Sequence, residues 1–412
     1  MKQNPRVTYS LLSIMLFLQY MLFAVWWVPL AAYLTNMGVG GTQKALILSS
    51  MAIGCLASPM VGALADRYFA SKRVLAFLNF VTALLLFIAA RQTNPVLLFL
   101  SLLVAMIAYM PTWGLTSAIT MANSPADQFP RIRAFGSIGW VASALFSLIA
   151  VRWFHLDFDG TNLPLYCGAG VALIAALLNF TLPYAPAPAK GGKRTLIDIL
   201  GLRTISFMKD RNFAIFIIVS FLAMIPFTLY WSYLSQFLQD IGFKYITVTM
   251  NLGQFAEIFF MLTVPIVLKK AGVRYAMFLG LLALLIRYLS FYIGGINDMQ
   301  WLYFIAILVH GIIFGFFFVG GQVYIHKKVP EELNAQAQGF IFLVTFGLGL
   351  LVGNFVNVRL IERFTESVNG VDLIHWNSVW GITALSTFVI FVIFMLLFRD
   401  NIDRNRSEGD GG

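Results

Sequence analysis

Charge is scarce in this chain. Asp, Glu, Lys and Arg together make up 11% of 412 residues, against about a quarter in ordinary soluble domains. So few charges cannot clothe the surface of a large water-soluble domain, and none is expected. Acid is rarer than base, 18 residues against 28, for a net charge of +10. Cysteine is nearly absent. Cys55 and Cys167 both lie in apolar runs, which excludes a disulfide framework and leaves them as small packing residues. The four histidines, His155, His310, His326 and His375, are scattered, so no metal-ligand spacing arises and no cofactor is expected. No Walker pattern is present, which excludes ATP as the energy source. No nucleophile stands beside a base, and an enzyme is not expected.

What the chain has in abundance is apolar sequence: 59% of its residues are hydrophobic, with a mean hydropathy of +0.82. Measured against a hydrocarbon core of about 30 Å, it contains about twelve runs of spanning length. They centre near residues 21, 53, 81, 108, 143, 174, 224, 257, 284, 312, 347 and 387. An all-α membrane protein follows. The first run is preceded by Lys2 and Arg6 like a signal peptide. It continues for about 27 residues without a small-residue cleavage site and is kept as a helix.

The basic residues sort by loop. With both termini placed inside, 21 of the 28 Lys and Arg fall in cytoplasmic segments, the bias that orients multi-pass proteins. The positive charge thus reports topology and excludes a nucleic-acid partner. Between the sixth and seventh runs lies YAPAPAKGGKRTLIDILGLRTISFMKD, rich in Pro, Gly and base. The expected organisation is a six-helix bundle over residues 1–185, a cytoplasmic linker over 186–210, a second six-helix bundle over 211–400 and a cytoplasmic tail over 401–412. Thr195 to Phe207 has the pattern of an amphipathic helix on the membrane face. The two halves echo each other: GALADRYFASKRVLAF follows the second run and VLKKAGVRYAMFLG the eighth, each a basic tight turn.

Gly62, Leu64, Asp66, Arg67, Lys72 and Arg73 resemble the signature between helices 2 and 3 of the major facilitator superfamily. That resemblance implies twelve helices in two pseudo-symmetric six-helix bundles with a site at mid-membrane between them. It also implies a cytoplasmic gate built from Asp66, Arg67 and Arg73. The plainer alternative is a solvated charged turn.

Polar groups inside the spans are few, and each is a candidate. Glu257 is the only acidic residue deep within an apolar run, in the stripe Asn251, Gln254, Glu257. A carboxylate there costs several kcal/mol on insertion, which marks a functional site. Gln254 and Glu257, at i and i+3, share a helix face, and an amide beside a carboxylate suits vicinal hydroxyls. Arg133, Ser137 and Trp140 fall at i, i+4 and i+7. A donor fork, a hydroxyl and a stacking surface on one stripe suit a polar ring-containing solute; interfacial anchoring of Arg133 is the alternative. His310 and Phe314 are at i and i+4, followed by Gly315, Gly320 and Gly321, while Gly311 follows His310. These glycines serve packing and bending inside a span. Gln19, Tyr109, Thr112, Thr228, Tyr230 and Trp231 are further polar positions. Arg287 in the next run offers a structural partner for Glu257.

FLQY at Phe17, AYMPTWGL at Ala108, FPRIRAFGSIGW at Phe129, GQFAEIFFMLTVP at Gly253 and AQAQGF at Ala335 resemble, in order and over nearly the whole chain, the nucleoside:proton symporter family. The resemblance implies an importer of nucleosides driven by protons, in the bacterial cytoplasmic membrane. It implies substrate contacts at Arg133, Ser137, Trp140, Thr228, Trp231, Gln254, Glu257, His310 and Phe314. This sequence departs from the family at three places. Thr228 and Trp231 replace amides, His310 stands where a Tyr is expected, and Gly315 takes the place of an Asp associated with proton coupling. Glu257, with His310 as accessory, is then the expected proton carrier. The expected partners are a nucleoside, a proton or sodium ion and the bilayer, with the protein a monomer. The alternatives are a sugar or polyol permease, an uncoupled facilitator and a membrane sensor without flux.

Overall fold

The structure is a computed structural model that describes residues 5–68, 71–125, 128–183, 202–368 and 371–399. Among the described residues nine helices are long and apolar enough to cross a membrane. They are Pro5–Asn36, Ser71–Ala89, Pro95–Asn123, Arg131–Trp153, Arg211–Asp240, Val264–Ile296, Trp301–Lys328, Gln336–Arg363 and Trp376–Leu397. The three other expected runs are helical but broken or short. Gly41–Leu48 and Ser50–Tyr68 meet at Ser49, Leu163–Asn179 has 17 residues, and Ile246–Met261 has 16. Inside Val264–Ile296, Gly272 adopts φ 78° and ψ 172°, a left-handed conformation that glycine takes without a side-chain clash. The kink falls at the basic turn after Lys269 and Lys270, where the sequence placed the boundary between two runs.

The outward faces are apolar, and buried polar groups sit among an apolar interior. In Ser71–Ala89, Phe77, Phe80, Leu84 and Phe87 are 64%, 52%, 52% and 46% exposed, while Asn79 and Thr82 are fully buried. Those four exposed positions recur at helical spacing on one face. A soluble helix turns polar residues outward; an outward apolar stripe suits a lipid environment, and Asn79 pairs within the protein, with Gln19.

Two compact units divide the chain. The first comprises Met1–Leu196 with Trp231–Asn251, the second Ile197–Tyr230 with Leu252–Gly412. In the first, helix Pro5–Trp27 packs on Phe129–Ala142 and Leu163–Asn179, and Ser71–Ala89 packs on Pro95–Asn123 and Leu163–Asn179. Leu12, Met15, Leu16, Leu75, Leu115 and Ile132 form a buried core. A Cβ at Gly139 would lie 2.0 Å from the Phe17 carbonyl oxygen, so only glycine lets these two backbones approach so closely.

The first unit also carries a carboxylate outside its spans. Asp159 is buried in the segment between Trp153 and Leu163 and accepts hydrogen bonds from the Thr247 hydroxyl, the Thr247 amide at 3.3 Å and the Ser147 hydroxyl at 3.1 Å. It thereby caps the start of helix Ile246–Met261, where a negative charge also meets the positive end of the helix dipole. Burial raises the Asp159 pKa, and the Thr247 and Ser147 hydrogen bonds offset only part of that rise. A raised folded value means that this group's contribution is fully present below the unfolded value and is lost as pH rises through the folded one. Asp159→Ala should cost about 1–3 kcal/mol, from the stranded donors. Thermal melts across the acidic range should show a lower melting temperature and the loss of that pH slope.

In the second unit, helix Val264–Ile296 packs on Trp376–Leu397 and on Ile313–Val319. Ile313–Val319 and Leu343–Gly349 are π-helical segments within longer helices. Such wide turns bend a helix locally and recur at functional sites. Strands Thr365–Val368 and Val371–Ile374 pair antiparallel, Thr365 opposite Ile374.

Several expectations fall at the edge of the described residues. Of the expected helix Thr195 to Phe207, residues 202–207 are described, and Leu202–Lys209 is a short 3-10 helix. The rest of the linker to residue 201 and the tail 401–412 lie outside the described residues, as do the side chains of Asp66 and Arg67. Arg73 is exposed. Its neighbour Lys72 donates to the Leu182 carbonyl at 2.8 Å.

Candidate functional site

Two constellations of the expected residues form, one in each unit. In the second unit Glu257 is buried at 6% exposure. Gln254 and Glu257 share a helix face as their spacing requires, and the Gln254 amide donates to Glu257 Oε2. His310 Nε2 lies 3.7 Å from the same oxygen. On its other side the imidazole meets Arg287, whose Nη2 is 3.0 Å from Nδ1. The fully buried Arg287 also donates from Nε to the Ala306 carbonyl at 3.1 Å, and its guanidinium lies 3.7 Å over the Tyr230 ring. Tyr230 stacks on His310 at 5.4 Å, with Phe227 at 6.1 Å and Phe314 tilted at 6.1 Å. Glu257 and Arg287, partners in one reading of the sequence, lie on opposite sides of the His310 ring.

Glycine sets this proximity. A Cβ at Gly311 would stand 2.6 Å from the Ala256 carbonyl oxygen and from Glu257 Cα, and one at Gly253 would stand 3.1 Å from His310 Cβ. The two helices touch backbone to backbone, which brings His310 to Glu257. Gly311→Ala should force them apart and cost about 1–3 kcal/mol, the usual penalty of overpacking. A lower melting temperature together with weaker substrate binding is the expected result. Gly315, where the family resemblance places an Asp, has an apolar setting: a Cβ there would meet Val264 Cγ2 at 3.0 Å and Met261 Sδ at 4.0 Å.

In the first unit the helix face Arg133, Ser137, Trp140 adjoins aromatic side chains from three other helices. The half-buried Arg133 guanidinium lies 4.4 Å over the Tyr20 ring. Tyr20 stacks on Trp113 at 5.5 Å. Trp140 contacts Phe23 at 5.7 Å and Trp231 at 5.6 Å. Ser137 is half-buried on the same face. Beneath them Gln19 Nε2 donates to Thr112 at 2.6 Å, Asn79 Nδ2 donates to Gln19 at 2.9 Å, and the Tyr109 hydroxyl donates to the Gln19 carbonyl at 2.6 Å. Gln19, Tyr109 and Thr112 are therefore tied to one another.

Thr228 is fully buried, its hydroxyl donating to the Met224 carbonyl at 2.6 Å, and a Cβ at Gly353 would strike that hydroxyl at 2.5 Å. It is enclosed by a neighbouring helix. Asn251 is buried in the first unit, its amide on the Thr247 carbonyl at 2.9 Å. Reading the sequence missed Tyr20 and Phe227 as members of these groups. FLQY contains Tyr20, yet with aromatic residues making up 15% of the chain one more inside an apolar span does not stand out. A cavity of about 650 Å³ lined by Tyr33, Arg91, Thr161 and Tyr166 contains none of the expected site residues.

A family model described as nucleoside H+ symporter matches residues 7–403. The chain is 36% identical over 404 residues to YegT, a candidate nucleoside transporter of Escherichia coli (strain K12), covering 96% of this chain and 94% of that one. It is 30% identical over 407 residues to the nucleoside permease NupG of the same organism, covering 94% and 95%. A crystal structure of the nucleoside transporter NupG with an Asp-to-Ala substitution matches with a TM-score of 0.86 at 28% identity, covering 95% of this chain and 100% of that one.

Proposed function

The chain belongs to the nucleoside H+ symporter family, and from that premise we propose that it is a multi-pass inner-membrane carrier that imports nucleosides by proton symport. It performs no covalent chemistry. Nine spanning helices, three further helices at the remaining apolar runs and the loop charge bias support twelve spans in two halves with cytoplasmic termini.

The observation that carries the assignment is the buried Glu257 carboxylate beside the Gln254 amide. A carboxylate accepts from two ribose hydroxyls, while an amide both donates and accepts. In the same cycle the carboxylate takes up a proton. Trp140 and Trp231 supply flat faces for a base, and Arg133 and Ser137 supply donors. His310 and Phe314 line the carboxylate side. Thr228 is spent on its own helix and has no part in this set. Coupling follows if the carrier loaded with proton and nucleoside changes conformation more readily than the carrier loaded with either alone. Asp66, Arg67 and Arg73 act in this scheme as the cytoplasmic gate.

The test is uptake of labelled uridine and adenosine into proteoliposomes under an imposed proton gradient and then a sodium gradient. Uphill uptake with protons alone is the expected result. Equilibration without accumulation under either gradient would make it a facilitator. Competition by free ribose as strong as by intact nucleosides would make it a polyol permease.

A further inference from the structure

Among the described residues Arg287 is the most deeply enclosed charged side chain of the second unit, fully buried within the helix Val264–Ile296. Among the described residues it pairs with no carboxylate. Burying an unpaired guanidinium is expensive, so its contacts invite a functional account. They include the Ala306 carbonyl, the Tyr230 ring, the Tyr288 hydroxyl and His310 Nδ1. A guanidinium has donors and no acceptor. The 3.0 Å contact to Nδ1 is therefore a hydrogen bond only when Nδ1 carries no proton. The ring proton then sits on Nε2, the nitrogen 3.7 Å from Glu257 Oε2.

We propose that Arg287 is a positioning residue of the transport cycle, fixing His310 as its Nε2–H tautomer so that the imidazole turns a neutral N–H toward Glu257, 3.7 Å away, and carries no transported proton. The proposal rests on the reading of Glu257 as the substrate and proton carboxylate. A second proton on the imidazole would set an N–H against the N–H groups of Arg287. The groups facing His310 include Arg287 from Val264–Ile296, Glu257 from Ile246–Met261 and Tyr230 from Arg211–Asp240. Stacking on Tyr230 at 5.4 Å and on Phe227 at 6.1 Å holds the ring plane, and the Arg287 bond selects which nitrogen faces which partner. A single carboxylate is left to titrate where sequence alone offered two groups. His310 replaces the expected Tyr hydroxyl with another neutral donor, and Gly315 adds no second acid.

The test compares the pH profile of nucleoside uptake in proteoliposomes for wild type, Arg287→Met, His310→Gln and the double variant. Wild type and His310→Gln should each show one ionisation. Arg287→Met frees Nδ1, so its profile should gain a second ionisation that His310→Gln lacks, with uptake changing severalfold across it. The double variant should lose that step again. An Arg287→Met profile with the wild-type number of steps overturns the proposal, as does loss of the wild-type step in His310→Gln. Should Arg287→Met fail to fold, 15N NMR of histidine-labelled wild type, with the His310 signal assigned by His310→Gln, reads the tautomer directly. A protonated Nε2 and bare Nδ1 at neutral pH supports it, and a protonated Nδ1 overturns it. The NMR arm needs no nucleoside, so it separates failure of this inference from failure of the transport assignment.

Discussion

Glu257→Gln should abolish uphill accumulation of nucleoside while leaving exchange of nucleoside across the membrane. The substitution preserves shape and an acceptor oxygen but removes the only acidic group that, among the described residues, is buried in the candidate site of the second unit. One elementary charge crossing 100 mV supplies about 2.3 kcal/mol. At 1.36 kcal/mol per decade, one-to-one symport therefore sustains a concentration ratio of about 50. In the variant that ratio should fall to about 1. The measurement is the steady-state ratio of labelled nucleoside inside and outside proteoliposomes under a fixed potential. A variant that still accumulates with wild-type acid stimulation would remove Glu257 as the proton carrier.

The exchange arm matters because loss of accumulation alone also follows from misfolding. A glutamine at 257 still accepts one hydrogen bond and still meets Gln254, so binding should weaken by about 1.5–3 kcal/mol, the worth of hydrogen bonds to a charged group. Exchange at raised nucleoside concentration should then persist. Coupling and binding thus separate in one variant, as they must if one carboxyl serves both.

What the sequence made legible depended on range. Helix faces are local, so Gln254 beside Glu257 and the stripe Arg133, Ser137, Trp140 were readable from spacing, and each pair of neighbours sits as spacing demands. The spans were readable because a bilayer imposes length and composition on every helix. Contacts between helices were not. Arg287 and His310 are 23 residues apart, and nothing in either helix alone says that the imidazole stands between the guanidinium and Glu257. Thr228 looked like a lining residue because a hydroxyl in a span satisfies its own helix as readily as a ligand. The glycines around residue 315 signalled bending, but an apolar pattern of period 3.6 does not announce the π-helical turn at Ile313–Val319. The paired strands Thr365–Val368 and Val371–Ile374 were not anticipated. A search for apolar runs passes over so short a polar segment.

Arg133→Ala should weaken nucleoside binding about 10-fold to 150-fold, the equivalent of about 1.5–3 kcal/mol for hydrogen bonds to a charged group. Among the described residues Arg133 makes no ion pair, and its guanidinium rests 4.4 Å over the Tyr20 ring, which holds the planar fork by its face and leaves its edges as donors. Crowding helps to hold it there, since a Cβ at Gly136 would meet Tyr20 at 2.9 Å and Arg133 Nη1 at 3.0 Å. Arg133→Lys then becomes the informative companion. A lysine keeps the charge but offers neither a planar face to Tyr20 nor paired donors. It should recover only part of the affinity if geometry matters, and nearly all of it if charge alone suffices. Equilibrium binding of labelled nucleoside to purified protein reads both. Unchanged affinity in Arg133→Ala would return this residue to interfacial anchoring, and the burden of recognition in the first unit would pass to the indole faces of Trp140 and Trp231.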